Sequence, residues 1–450
     1  MEEELKLKKE YIFSNKALMR LIFPLIIEQF LAMAVGMADS IMVAKVGESA
    51  VSAVSLVDSI NILIINIFAA LATGGAVVAG QYIGQKRSEK ASKAGEQLLV
   101  FVTLISIIIM AILYIGKDFI LNVVFGQIEP DVAAYATTYM LIVFASIPFI
   151  ALYNSGAALF RAMGNSKITM ITSIIMNAIN VVGNAILIYG IKMGVEGVAI
   201  PTLISRMVAA ILIVALLRNK NLIIHINKPF RYKFDKRMVM KILHIGIPNG
   251  VENSMFQLGK IILLSLVAGF GTASITANAV GNTVTAFEIL PAASIGLALV
   301  TVVSQCVGAR DYEQVRYYTK TLLKYTYLAS IFTNIVIILL TPHILKIYNL
   351  SPQTTEMAKQ VIVFHGLNVC LTWPLSFTLP NTLRASNDVR YTMVVGVVSM
   401  WIFRLGFGFL FAKFMNMGMF GVWVAMIVDW IFRSTFFIVR YKGNKWMTKA

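Results

Sequence analysis

Apolar residues run along this chain in long stretches that polar residues rarely interrupt. A helix needs roughly 20 apolar residues to cross the hydrocarbon core of a bilayer, and turn residues such as Gly47, Gly126 and Gly271 separate the stretches. The pattern predicts an all-α integral membrane protein. Its twelve transmembrane helices are predicted at 18–44, 50–84, 91–115, 132–160, 168–191, 195–217, 242–269, 273–307, 317–340, 354–382, 391–414 and 418–439.

The sequence of the first half recurs in the second half. A shift of 224 residues superposes Pro24 on Pro248, Glu28 on Glu252, Gly47 on Gly271 and Gln81 on Gln305. Each half holds six predicted spans, so both halves enter the membrane in the same direction and form two lobes related by a pseudo-two-fold axis along the membrane normal. We therefore expect an N-terminal lobe at 1–223, a basic linker at 224–241 and a C-terminal lobe at 242–450, with a cleft between the lobes.

Composition agrees with a membrane protein and explains the high net charge. Hydrophobic residues make up 58% of the chain and charged residues only 14%, too few to cover a water-facing surface. Of the 39 Lys and Arg residues, 29 fall in the loops on the side of both termini and six on the other side. Because positive loops stay in the cytoplasm, we expect a cell-membrane protein with cytoplasmic termini. The charge of +17 then reflects topology and contact with membrane lipids rather than binding of nucleic acid.

Sequence motifs of enzymes are absent from the chain. It contains no G-x-x-x-x-G-K-[ST] phosphate loop, no H-E-x-x-H zinc motif and no G-x-S-x-G nucleophile elbow. We therefore expect a protein that is not an enzyme and that needs no cofactor or metal. A two-lobed bundle with a central cleft is typical of transporters.

Ionisable residues inside spans are costly and commonly functional, and one group of them lies in the N lobe. Asp39 lies eight residues before the turn at Gly47, at a depth of about 12 Å. Asn180, Asn184 and Thr202 lie at similar depth, and the two asparagines share a helix face. These four residues form a candidate site for a proton or a small cation. The alternative is that Asp39 pairs with Arg206 and that the amides only join helices.

A second group of ionisable residues lies in the C lobe. Glu252 and Glu288 fall at similar depth on either side of Gly271, where two close carboxylates cannot both ionise cheaply. They are candidate acids for cation or proton binding, and Lys260 is a possible charge partner of either acid. A different group, Arg404, Asp429 and Arg433, is predicted to be structural, since these side chains can neutralise one another.

Several motifs resemble the multidrug and toxic compound extrusion (MATE) family. Ala38-Asp39-Ser40 resembles part of the family's first helix, and Gly80-Gln81-x-x-Gly84 resembles the end of its second. Arg161-Ala162-Met163-Gly164-Asn165 resembles its L-R-A-x-G-[ND] motif, which Leu383 to Asp388 repeats with Asn387 in place of the glycine. Asn180-x-x-Gly183-Asn184 resembles its fifth-span motif. The resemblance covers nearly the whole chain.

The resemblance implies an antiporter. It implies export of small organic cations, many of them drugs, while protons (H+) or sodium ions (Na+) enter, and a cation site at Asp39, Asn180, Asn184 and Thr202. We expect the protein to act as a monomer. Two positions depart from the family pattern: many members have Asp at the position of Asn184, and the sodium-coupled branch has an acid in the stretch matching Asn368–Phe377. Related lipid-linked oligosaccharide flippases provide the alternative function.

Overall fold

The chain forms a bundle of long helices. The computed structural model describes residues 11–126, 128–226 and 233–449, and the regular elements in these ranges are all helical. Eleven of these helices are long and apolar enough to cross a membrane, and a pair bent by 45° forms a twelfth span, here called α4. The spans are α1 Asn15–Ala44, α2 Glu48–Gly84, α3 Ser88–Ile115, α4 Pro130–Phe144 with Ile147–Ala162, α5 Ser166–Gly190, α6 Glu196–Leu216, α7 Lys236–Ala268, α8 Thr272–Gly308, α9 Tyr312–Ile347, α10 Pro352–Ala385, α11 Val389–Phe414 and α12 Gly418–Lys442.

The ends of these helices follow from local sequence. Ser14 caps α1 by accepting a hydrogen bond of 3.2 Å from the main-chain nitrogen of Ala17. Asp311 caps α9 in the same way through Gln314 N at 2.9 Å. The turns into α2 and α8 pass through Gly47 at φ 138° and Gly271 at φ 92°. Only glycine adopts such angles without strain, so the repeated glycine sets the same tight turn in both halves.

The six helices of each lobe carry equivalent internal contacts. In the N lobe, Arg161 Nη1 lies 3.5 Å from Glu28 Oε1. In the C lobe, Arg384 Nη2 lies 2.8 Å from Glu252 Oε2. In both lobes the arginine of the repeated Arg-Ala motif pairs with the acid that follows the repeated proline, as the pseudo-two-fold relationship requires.

The two lobes meet closely at the end of the bundle where α2 finishes at Gly84 and α8 at Gly308, which we call the basic end. A Cβ atom added to Gly84 would overlap the main-chain oxygen of Gln305, and one added to Gly308 would overlap that of Gln81. The helices therefore approach backbone to backbone, as small residues permit in membranes. This packing requires a glycine at both positions.

Side chains reinforce the same interface. Gln81 Nε2 donates to the main-chain oxygen of Ala385 at 3.0 Å, and Gln305 Nε2 donates to that of Ala162 at 2.7 Å. Within the described residues, every hydrogen bond between the lobes lies in the half of the bundle toward the basic end. The cleft between the lobes therefore opens toward the opposite end, at Gly47 and Gly271.

The segment before the first helix of each lobe is bonded to the other lobe. Phe13 N donates to Tyr318 Oη of α9 at 2.8 Å. Asp235 N donates to Gln97 Oε1 of α3 at 3.0 Å, and Lys93 Nζ lies 2.6 Å from Asp235 Oδ2. The hydrogen bond from Lys93 lowers the pKa of Asp235. The predicted linker 224–241 is thus anchored at Asp235, and its residues 236–241 belong to α7. Its residues 227–232 lie outside the described residues, as do the charged residues 1–10.

Candidate functional site

Asp39 of α1 lies against two asparagines of α5. Asn184 Nδ2 donates to Asp39 Oδ1 at 2.7 Å, and Asn184 is fully buried while Asp39 is only partly buried. The i, i+4 spacing places Asn180 one turn earlier on the same face of the helix. The depth matching predicted from sequence is therefore present in the structure.

Asn180 connects Asp39 to Thr202 of α6. In the amide orientation that satisfies its neighbours, Asn180 Nδ2 donates to Asp39 Oδ1 at 2.8 Å and Asn180 Oδ1 accepts from Thr202 Oγ1 at 3.0 Å. Three helices thus contribute to one polar group. All four predicted residues of the N-lobe site meet in the structure.

The arrangement leaves acceptor atoms free beside the carboxylate. Asn184 Oδ1 is buried and has no hydrogen-bond partner among the described residues, and Asp39 makes no ion pair in that part of the chain. A buried acceptor without a donor is destabilising. A carboxylate, an amide oxygen and a hydroxyl are ligands suited to a small cation, and the carboxylate alone can bind a proton.

Arg206 does not pair with Asp39, which corrects the alternative drawn from sequence. Its Nη1 donates to Ser146 Oγ at 2.8 Å, at the bend of α4, and lies 3.5 Å from Asn61 Oδ1 of α2. Arg206 is one turn beyond Thr202 on α6, and its side chain extends toward α2 and α4 rather than toward α5. The bend in α4 exposes polar groups that bind this guanidinium.

Asp58 of α2 lies close enough to Asp39 and Arg206 for their charges to interact. Tyr139 Oη donates to Asp58 Oδ1 at 3.2 Å. This contact joins α2 to α4.

Glu252 of the C lobe binds arginines, so Lys260 is not its charge partner. Arg384 Nη2 lies 2.8 Å from Glu252 Oε2, and Arg433 Nη1 lies 3.6 Å from Glu252 Oε1. Lys260 forms no ion pair with either predicted acid among the described residues. Two helical turns separate Glu252 from Lys260; the acid contacts arginines of α10 and α12, while the lysine lines a cavity together with Arg404.

Glu288 also differs from the expectation of two neighbouring acids. It pairs with His365 of α10 through a short contact between Glu288 Oε2 and His365 Nδ1, and both side chains are buried. Glu288 Oε1 has no hydrogen-bond partner in the described part of the chain. Glu252 and Glu288 therefore belong to two separate clusters and share no proton.

The predicted structural group of the C lobe is confirmed. Arg433 Nε lies 3.0 Å from Asp429 Oδ1, one turn along α12, and Arg404 Nη1 lies 3.7 Å from Asp429 Oδ2. Ser399 Oγ also donates to Asp429 Oδ1. Asp429 is fully buried, so its charge is compensated by these neighbours.

The sequence interpretation missed His365 and the role of Arg384. No spacing marked His365, because its partner Glu288 lies on another helix. Arg384 could have been found, since the repeat places Arg161 and Arg384 in equivalent positions and does the same for Glu28 and Glu252. Two repeated charges of opposite sign at matching depth predict a repeated ion pair.

Comparison with known proteins agrees with this architecture. The family MatE matches residues 24–186 and again 248–410, one match in each lobe. The chain is 25% identical over 443 residues to "Uncharacterized transporter YisQ" of Bacillus subtilis (strain 168), covering 96% of this chain and 95% of that protein. It is 25% identical over 449 residues to "Probable multidrug resistance protein NorM" of Thermotoga maritima, covering 98% and 95%.

Solved structures share the fold over almost the full length. One described as "Outward-facing conformation of a multidrug resistance MATE family transporter of the MOP superfamily" superposes with a TM-score of 0.90 at 19% identity, covering 97% of both chains. Another, "Crystal structure of MATE in the bent conformation", superposes with a TM-score of 0.85 at 19% identity, covering 95% of both chains. The two-lobed arrangement of twelve spans is therefore common to all three molecules.

Proposed function

Because this chain belongs to the multidrug and toxic compound extrusion (MATE) family, whose members are transporters and not enzymes, we propose that it is a secondary active antiporter. It exports drug-like, cationic compounds from the cell in exchange for protons or sodium ions, by alternating access of its central cleft. It does so as a monomer in the cell membrane, with both termini in the cytoplasm and without a cofactor.

The observation that carries this proposal is the set of contacts at Asp39. A partly buried carboxylate that makes no ion pair among the described residues, held by Asn184 and Asn180, is a group of the N lobe that can change charge when an ion binds. A ligand shifts a two-state equilibrium only if it binds the two states with different affinity. Binding of a proton or sodium ion at Asp39 supplies such a difference, and release of the organic cation follows from it.

Opening of the cleft to the other side requires the lobes to separate at the basic end. The glycine packing and the Gln81 and Gln305 hydrogen bonds hold the lobes together there. These contacts are hydrogen bonds between uncharged groups, so a modest change in free energy at the ion site is sufficient to break them.

Reconstitution into proteoliposomes tests the proposal. Purified protein is given an imposed proton or sodium gradient, and movement of ethidium and tetraphenylphosphonium is followed. We expect uptake or release of an organic cation that depends on one of the two gradients and disappears in Asp39→Asn. Transport of no organic cation under either gradient would reject the antiporter function.

A further inference from the structure

A cavity in the C lobe is lined by cationic and polar side chains. It has a volume of about 320 Å³ and lies between α7, α8, α11 and α12. Its polar wall consists of Gln257, Lys260, Asn278, Asn282 and Arg404. No carboxylate lines it among the described residues, and Trp423 with several aliphatic side chains forms the apolar wall. A cluster of five polar side chains at membrane depth indicates a water-accessible ligand site rather than a lipid-facing surface.

The carboxylates nearest to this cavity are already paired with other cations. Glu252 lies 2.8 Å from Arg384. Asp429 lies 3.0 Å from Arg433. Each acid thus has an arginine of its own at closer range than any atom of the cavity wall.

Three arginines share these two acids, and Lys260 has no acid partner in the described part of the chain, so the group as a whole keeps two positive charges in excess. The nearest contact of Arg404 to an acid is the 3.7 Å approach of Nη1 to Asp429 Oδ2, and Arg404 Nε is buried without a hydrogen-bond partner in the described part of the chain. Lys260 makes no ion pair there. Two uncompensated cations inside a membrane are costly, and an anion in the cavity would compensate them.

The side-chain amide of Asn278 in the cavity is also positioned to donate a hydrogen bond. Trp423 Nε1 donates to Asn278 Oδ1 at 3.1 Å. The remaining hydrogen-bonding group of the Asn278 side chain is its NH2, which can only donate. An anionic oxygen is the partner that both this amide and the two cations require.

The cavity occupies the position in the C lobe that the Asp39 site occupies in the N lobe, with the opposite charge. At the 224-residue offset, Asp39 is replaced by Leu263 and Asp58 by Asn282, both of which line the cavity. The repeat thus has an acid in the N lobe at a position where the C lobe has a cavity lined by cations.

We propose that the Lys260–Arg404 cavity binds an anionic group of the transported compound, so that the preferred substrates are zwitterions with an apolar ring system. This inference rests on the proposed function, because it specifies the class of compound that the transporter carries. The carboxylate or equivalent group lies between Lys260 and Arg404, and the ring lies against Trp423. The cationic group of the same compound remains for Asp39 of the N lobe.

Binding to the purified full-length protein in detergent tests the cavity without any gradient. The ligands are 1-naphthoate and (1-naphthyl)trimethylammonium, which share the ring and differ in charge. We expect calorimetry to show tighter binding of 1-naphthoate. Lys260→Gln should weaken 1-naphthoate binding about tenfold, since a charge-assisted contact is lost, and Lys260→Arg should retain most of it.

A matched variant controls for the general loss of a positive charge. Lys413→Gln removes a lysine of the same lobe that lies over Phe409, outside the cavity, and should leave 1-naphthoate binding unchanged. Equal binding in Lys260→Gln and in the wild type, or tighter binding of the ammonium compound, would overturn the proposal.

The experiments distinguish a failure of the proposed anion site from a failure of the proposed antiporter function. If proteoliposomes export organic cations but the protein does not bind 1-naphthoate, the cavity proposal fails and the antiporter function stands. If 1-naphthoate binds in a Lys260-dependent manner but no compound is transported under any gradient, the anion site stands and the antiporter function fails.

Discussion

Gln305 Nε2 donates a hydrogen bond of 2.7 Å to the main-chain oxygen of Ala162, across the interface between the lobes. Its repeat counterpart Gln81 makes the equivalent bond of 3.0 Å to Ala385. Each glutamine belongs to one lobe and bonds the Arg-Ala motif of the other. The two bonds lie at the basic end, where the cleft must open for alternating access.

Removing one of these bonds should favour opening at the basic end. Gln305→Ala loses a hydrogen bond worth about 1 kcal/mol, a roughly fivefold change in the equilibrium. A cysteine at position 304, which contacts Gly80 across the interface, reports this opening when Cys306 and Cys370 are replaced. We expect faster maleimide labelling of the cysteine at position 304 in Gln305→Ala, and no change in Gln353→Ala at the opposite end. Equal labelling rates in all three proteins would contradict the prediction.

Asp39→Asn should abolish ion-driven export and leave membrane insertion intact, since a buried charge is removed. Because Arg206 bonds Ser146 and Asn61 instead of Asp39, adding Arg206→Gln should not restore export. Ethidium transport in proteoliposomes measures the effect, with Asp131→Asn at the start of α4 as the control acid. Recovery of export in the double variant would show that Asp39 is only a partner of Arg206.

Glu252→Gln should lower stability, because it strands Arg384 and Arg433. Breaking a buried ion pair by removing one partner costs about 3–5 kcal/mol in free energy of unfolding. Glu28→Gln should act in the same direction through Arg161. The control is Glu356→Gln, whose exposed pair with Lys359 at 3.8 Å contributes about 0–1 kcal/mol. Thermal unfolding in detergent measures the differences. If Glu252→Gln unfolds at the same temperature as Glu356→Gln, the ion pair does not stabilise the lobe.

Glu288→Gln should behave differently from Glu252→Gln. Its partner is a histidine rather than an arginine, and an amide can keep a hydrogen bond to a neutral imidazole. We expect stability close to that of the wild type and reduced ion-driven transport, because the group can no longer bind a proton. Parallel measurements of unfolding and ethidium transport test this. Wild-type transport in Glu288→Gln would remove Glu288 from the ion pathway.

We predict cytoplasmic termini from the 29 to six distribution of loop charges. A cysteine placed at position 45, an exposed residue of the same turn as Gly47, with Cys306 and Cys370 replaced, should react with an impermeant maleimide from outside intact cells. A cysteine at position 310, at the basic end, is the control and should react only after permeabilisation. The reverse pattern would place both termini outside.

The transmembrane helices could be predicted from the sequence because apolar length determines them. The ends of these helices could not be predicted in this way. A helix continues into the polar residues beside its apolar stretch until it reaches a residue that caps it. The predicted span 317–340 is α9 Tyr312–Ile347 in the structure. Asp311 caps this helix six residues before the apolar stretch begins, and Pro342 is accommodated inside it.

Site residues could be placed by depth along the membrane but not by direction around a helix. Depth was sufficient for Asp39, Asn180 and Asn184, because α1 and α5 are neighbours. It failed for Arg206 and Lys260, whose side chains extend toward other helices than those expected. It also placed Glu252 beside Glu288, whereas the structure turns each acid toward a different basic partner.

The paired glutamine and glycine contacts have a consequence for how the molecule is assembled. Each lobe presents a glutamine donor, a closely packed glycine and the main-chain oxygen of an Arg-Ala motif to the same three groups of the other lobe. The two subunits of a two-fold symmetric dimer meet through an isologous interface of this kind. Recognition between the halves therefore does not depend on the peptide bond that joins them. Two separate polypeptides, divided ahead of Lys233, retain every one of these contacts and should associate in the membrane as a heterodimer.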